Sequence, residues 1–203
     1  QKGSLIGGRK KRRYIPIPES NGVIGVYYRK RKGHREYCLA NKGTEPRSLS
    51  DWINNAQQLF GYSGDMKYSI REAKKFVNKH TKNEITFVGH SKGGAEAAAN
   101  AVKTNKNCII FNPATVNLSA YGISSSGYTS DMVAYIVKGD ILHSVENAFS
   151  KPIGRIVYLP RQYGHDLELH TEMILVNGIR NHLMGAVKNA LNEKKGSSGG
   201  ARF

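Results

Sequence analysis

Acidic residues are scarce in this chain. Asp and Glu together number 15 against 31 Lys and Arg, so its 203 residues carry a formal net charge of +16. An excess of that size implies an anionic partner: nucleic acid, an acidic membrane surface or an acidic protein. Cysteine is nearly absent. Cys38 and Cys108 alone cannot build a disulfide scaffold or a zinc site. Both fall in apolar, strand-like runs, as buried reduced thiols do. No apolar run approaches the roughly eighteen residues of a membrane-spanning helix. No apolar segment follows the basic start as a secretory signal requires. The first residue is Gln rather than Met, which reads as a processed chain or a domain cut from a longer protein. There is no His-Glu-x-x-His, no close His/Cys set, no Walker loop and no dinucleotide fingerprint, so neither metal nor cofactor is expected. Helix-turn-helix, RRM and KH patterns are missing, and aromatics do not interleave with the basic runs as stacking on nucleic acid requires.

What is present suits one soluble domain with tails. Hydrophobic residues make up 39% and charged residues 23%, a globular composition in a chain long enough to bury its own core. Residues 1–22 read as a basic flexible arm, with the run Arg9-Lys10-Lys11-Arg12-Arg13 followed by Pro16 and Pro18. Residues 23–195 read as the folded domain. Residues 196–203, which include Ser-Ser-Gly-Gly, read as a flexible tail.

Within the domain, strands alternate with helices. Val23–Tyr28 and Glu36–Ala40 make a hairpin around the basic turn 29–35. Asp51–Phe60 reads as a helix capped by Ser48 or Ser50, and Ser69-Ile70-Arg71-Glu72 as a capping box opening a helix with Ile70, Ala73, Phe76 and Val77 on one face. Strands are expected at 84–88, 108–111, 133–137 and 156–159, with an Ala-rich helix at 95–102. A last helix, 182–191, carries Leu183, Ala186, Val187, Ala190 and Leu191 on one stripe. The order predicts an α/β fold, a mostly parallel sheet with helices on both faces.

Gly89-His90-Ser91-Lys92-Gly93 matches G-x-S-x-G. Alone the pattern is weak, but it follows the strand Ile85–Val88 and precedes a helix, the setting of a nucleophile elbow. Gly89 and Gly93 let the chain turn tightly, leaving Ser91 at the apex. A serine nucleophile needs a base and an acid to orient that base, and in α/β-hydrolases the chain order is Ser, acid, His. Asp140 follows the strand 133–137 and would project from its C-terminal end. Asp131 precedes that strand, and Asp166 is the rival. For the base, His182 sits before the final helix; His165 and His170 are alternatives, and His143 lies too close to Asp140 in sequence.

These residues resemble the class 3 (fungal-type) lipases and their bacterial lipase-like relatives. Leu39-Ala40-Asn41-Lys42-Gly43-Thr44 with Leu49-Ser50-Asp51-Trp52-Ile53-Asn54 is similar to that family's oxyanion region, with Lys42 where Arg is usual. Val88–Gly94 is similar to its elbow, Ile136–Leu142 to its acid segment and Asn181-His182 to its terminal base. The resemblance spans roughly 23–191. It implies an α/β-hydrolase fold and a serine esterase with triad Ser91, Asp140 and His182, its oxyanion held by the N–H groups of Lys92 and Thr44.

Positive charge favours phospholipid over triglyceride, because an anionic leaflet attracts basic residues. The expected partner is therefore an anionic phospholipid surface, and the runs 9–13 and 29–35 could dock there. The segment 59–66 could form a small lid. A toxin or effector domain, secreted or delivered to a target cell and opposed by an immunity protein, fits the same features by family analogy. A general lipase or esterase is the nearest alternative; a nucleic-acid binder or an inactive hydrolase fold used for binding are those of another class.

Overall fold

The computed structural model describes residues 14–17, 22–43, 64–114, 116–142, 154–165 and 171–197. Seven strands form one sheet in chain order: β1 (Ile15–Pro16), β2 (Ile24–Arg31), β3 (His34–Asn41), β4 (Glu84–His90), β5 (Asn107–Phe111), β6 (Met132–Val137) and β7 (Arg155–Leu159). The pairs β1–β2 and β2–β3 are antiparallel, and β3 to β7 run parallel. The helices are α1 (Gly64–Lys79), α2 (Lys92–Thr104), α3 (Thr171–His182) and α4 (Met184–Ser197), with a 3₁₀ turn at Leu118–Tyr121.

Side-chain alternation assigns the two faces of the sheet. Ile85, Phe87, Cys108, Ile110, Met132, Ala134 and Ile136 belong to the main core, which also takes in Ala73 of α1 and Ala95, Ala98 and Val102 of α2. Phe111, Tyr135, Val137 and Leu159 have the opposite parity and pack with Val187 and Ala190 of α4 in a second cluster. Helices therefore cover both faces. The Ala-rich sequence of α2 lets it lie close against β3, β4 and β5.

Several expectations are corrected. The sheet begins inside the basic arm, because Ile15 and Pro16 pair with Tyr28 and Tyr27; Pro16 is tolerated there because β1 is an edge strand. The turn at 29–35 shrinks to Lys32-Gly33, since Arg29 pairs across the strands with Glu36 (2.7 Å) and Arg31 reaches the same carboxylate (3.3 Å). Lys32 and Gly33 both have positive φ, 48° and 81°, as a two-residue I′ turn requires. Ser69-x-x-Glu72 is not a cap: α1 starts at Gly64, and Ser69 is buried and hydrogen-bonded to Asn41 and Asn100. Its first turn carries Asp65 instead, which complements the helix dipole. Helix α3 had no counterpart in the sequence reading, where Asn177 and Gly178 weaken the helical pattern. Its presence moves His182 from a loop to the last residue of a helix. Leu183, placed on the apolar stripe, is 43% exposed at the break between α3 and α4, and α4 runs on to Ser197. The expected helix 51–60 and residues 59–63 of the lid segment lie outside the described residues; Gly64, Asp65 and Met66 form the start of α1.

Candidate active site

The five parallel strands, β3 to β7, end on one edge of the sheet, and the turns there bring the candidate residues together, where open α/β sheets generally place their sites. After β4, the chain makes the elbow. Ser91 takes φ 58° and ψ −125°, a region costing a non-glycine residue of order 1–3 kcal/mol. The turn is held because the Ser91 N–H donates to Phe111 O (3.2 Å) while Ser91 O accepts from Gly94 N (3.0 Å) and Ala114 N (2.9 Å). A side chain at Gly89 would collide with the Gly93 carbonyl, and a Cβ on Gly93 would lie 2.5 Å from Asn41 O and 2.8 Å from Gly43 N. The glycines thus close the elbow and also let the end of β3 lie against it.

After β6, the Asp140 N–H donates to Val137 O (3.0 Å), with Gly139 at φ 87°; this is a type II turn, which requires glycine at its third position. It turns the Asp140 carboxylate inward. His182 meets it from the end of α3: Nδ1–H donates to Asp140 Oδ1 at 2.5 Å, and Nε2 lies 2.9 Å from Ser91 Oγ. The carboxylate accepts only, so it sets the tautomer and turns an unprotonated Nε2 toward the serine hydroxyl. Ser91, Asp140 and His182 are 2%, 1% and 0% exposed.

Two further residues hold His182 in place. His90 Nε2–H donates to His182 O at 2.6 Å, and the two rings stand 5.0 Å apart. Asn112, buried and at φ 39°, donates through Nδ2 to Asn181 O (2.9 Å) and His182 O (3.1 Å) and accepts from Val137 N (2.9 Å). These carbonyls end α3 and have no partner within the helix, so strand-end side chains cap it. Asn181 fastens the other side, accepting from Gln162 N and Tyr163 N and donating to Tyr163 O. Sequence reasoning missed these roles: His90 occupies the variable position of the elbow pattern, and Asn112 follows a strand with no motif around it.

Beneath the elbow lies a buried polar network. Asn41 Nδ2 donates to Ser69 Oγ (2.8 Å) and Glu96 Oε2 (3.3 Å), and Asn100 Nδ2 donates to Ser69 Oγ (2.8 Å) and Asn41 Oδ1 (3.2 Å). Burial pushes the Glu96 carboxyl up to about 7, against the attraction of Lys92. Lys92 Nζ reaches Asp65 Oδ2 at 2.8 Å, which ties the residue after the nucleophile to the first turn of α1 and holds the Asp65 carboxyl below its usual range.

The remaining sequence candidates divide plainly. Asp131 precedes β6 at the opposite edge of the sheet and is exposed, and His165 is exposed. Thr44, His143, Asp166 and His170 lie outside the described residues. Cys38 and Cys108 are free thiols; burial raises both, Cys38 to about 11, so neither competes as a nucleophile. Among the described residues no group of three or more His, Cys, Asp or Glu is arranged to hold a metal.

Known proteins match this arrangement. Residues 7–202 match the family described as "Phospholipase-like: Tle-like phospholipase domain". An "Extracellular phospholipase A1" of Serratia liquefaciens is 29% identical over 154 residues, covering 71% of this chain and 44% of that protein, so the chain spans less than half the length of that relative. The Rhizomucor miehei lipase propeptide complex is similar with TM-score 0.49 at 14% identity, over 72% of this chain and 57% of that one. A CIB-like hydrolase from Thermoplasma acidophilum is similar with TM-score 0.44 at 13% identity, over 85% and 99%. The family match takes in nearly the whole chain, sheet and elbow included, and the chain belongs to the Tle-like phospholipase domain family.

Proposed function

We propose that this domain is a phospholipase A-type serine hydrolase that cleaves fatty-acyl esters of anionic membrane phospholipids. The observation that carries the reading is the buried chain of contacts from Asp140 through His182 to Ser91 Oγ. Ser91 attacks the ester carbonyl as His182 Nε2 takes its proton. The imidazolium is stabilised by Asp140 and by its position at the C-terminal end of α3, where the helix dipole contributes about 0.3–1 kcal/mol. His182 then protonates the leaving alcohol, the acyl-enzyme forms, and water enters by the reverse sequence. The Lys92 N–H, at the start of α2, and the Thr44 N–H are the proposed oxyanion donors. Losing one such donor costs about 3 kcal/mol of transition-state stabilisation.

The net charge of +16 supports an anionic lipid surface as the partner. The relative's name supports action outside the producing cell, as a secreted or delivered enzyme. A role as toxin or effector, with an immunity protein as inhibitor, extends that proposal. The test is fatty-acid release from vesicles containing phosphatidylglycerol, with products read by mass spectrometry, for the wild type and Ser91→Ala. Release lost in the variant is expected, and the lysolipid formed identifies the ester cut. Turnover of short soluble esters without release from vesicles would replace this reading with an esterase. No turnover of either would leave a hydrolase fold that only binds.

A further inference from the structure

Away from the catalytic edge, an open groove of about 640 Å³ runs between α1, the end of α2 and the 3₁₀ turn. Its floor includes Ile70 and Tyr121, and its rim carries Lys67, Arg71, Lys74, Lys75 and Lys103. The cations on α1 recur at spacings of three and four residues, so they share one face. Glu72 is the acid close to them, 3.0 Å from Lys75 and 3.7 Å from Arg71. Neither Lys74 nor Lys103 has an acidic partner among the described residues. Such charges around one concavity make its potential positive and favour an anion there.

The β2–β3 hairpin, a second basic feature among the described residues, differs. Arg29 and Arg31 are spent on Glu36, and Arg35 stacks on Tyr28 at 4.3 Å. The groove is also connected to the site. Lys67 lies two residues beyond Asp65, which grips Lys92 beside the nucleophile.

We propose that this groove is where the domain holds anionic phospholipid headgroups, with Lys67, Arg71, Lys74 and Lys103 contacting phosphates and Tyr121 at the headgroup boundary. The proposal rests on the phospholipase reading for its choice of lipid over acidic protein. It assigns the docking surface to α1 and α2 rather than to the basic runs of the sequence.

The experiment measures partitioning of the full chain, in a Ser91→Ala background, onto vesicles of phosphatidylcholine with or without phosphatidylglycerol. Two triple variants remove equal charge: Lys67→Gln/Lys74→Gln/Lys103→Gln in the groove, and Lys30→Gln/Lys32→Gln/Arg35→Gln in the hairpin. At roughly fivefold per cation near an anionic surface, the groove triple loses about a hundredfold in partitioning onto the anionic vesicles. The hairpin triple is expected to lose far less. Unfolding midpoints confirm that both variants are folded. Equal losses in the two triples would overturn the proposal in favour of diffuse charge, and an unaffected groove triple would overturn it outright. Poly-glutamate that binds the wild type and not the groove triple, with no vesicle partitioning by either, would overturn it in favour of an acidic protein partner. Failure of the phospholipase reading shows separately, as absent fatty-acid release by the chain with Ser91 intact while partitioning is kept.

Discussion

Asn112 offers a sharp test of how the base is positioned. Its amide accepts from Val137 N and donates to the carbonyls of Asn181 and His182. Asn112→Ala orphans the buried Val137 N–H and the Asn181 carbonyl, while His182 O keeps His90. At about 1–3 kcal/mol for each orphaned group, and with about 1 kcal/mol of added strain at φ 39°, the loss of stability should reach about 3–7 kcal/mol. Asn112→Asp is the more informative change. It keeps the shape, the tolerance of positive φ and the acceptor for Val137 N, but sets oxygen against two carbonyls. The end of α3 is then pushed away from β5, and His182 moves off Ser91. A displacement near 1 Å lowers kcat by about a hundredfold, while KM, set by contacts elsewhere, barely changes. Steady-state kinetics on a soluble ester, beside urea unfolding, measure both effects. If Asn112→Asp kept kcat within about threefold of the wild type, the amide would not be what positions His182, and the reasoning would fail.

Three further outcomes follow from the same geometry. The Glu96 carboxyl is raised from 4.5 to about 7 by burial, so the folded state binds a proton more tightly than the unfolded one. Stability is then highest below pH 4.5 as far as this group is concerned, and falls by about 3 kcal/mol as pH rises through 7; Glu96→Gln should abolish that slope in unfolding curves taken from pH 5 to 8. His90→Phe removes the 2.6 Å bond to His182 O and is expected to lower kcat roughly tenfold with KM unchanged; a KM effect alone would point to substrate contact instead. Gly93→Ala drives a Cβ into the backbone of Asn41 and Gly43, so the elbow must shift; a variant with wild-type activity and midpoint would contradict the close approach of β3 to the elbow.

Much of the fold was written locally. The alternation of apolar and polar residues in Glu84–His90, the unbroken apolar run Cys108–Phe111 and the Ala-rich stretch after Gly93 each dictate their element through periodicity and side-chain size, whatever surrounds them. The elbow was legible for the same reason: glycine, serine and glycine at fixed spacing between a strand and a helix is a backbone requirement that neighbours in sequence can state.

Local sequence thus specifies a parallel α/β sheet with a serine at a tight turn and an ordered set of acid and histidine candidates. Tertiary structure supplies the contact. His182 lies 91 residues from Ser91 and 42 from Asp140, and its place before the last helix marks it only as a candidate; the ends of β4, β5 and β6 bring the three together by converging on one edge. The same holds for His90 and Asn112, whose partners are the carbonyls that end a helix 92 and 70 residues away. It holds too for Ser69, which has the pattern of a helix cap yet lies buried inside α1. Hydrogen-bond donors read the same in sequence whichever acceptor they meet, and only the packing of distant segments brings one acceptor within reach.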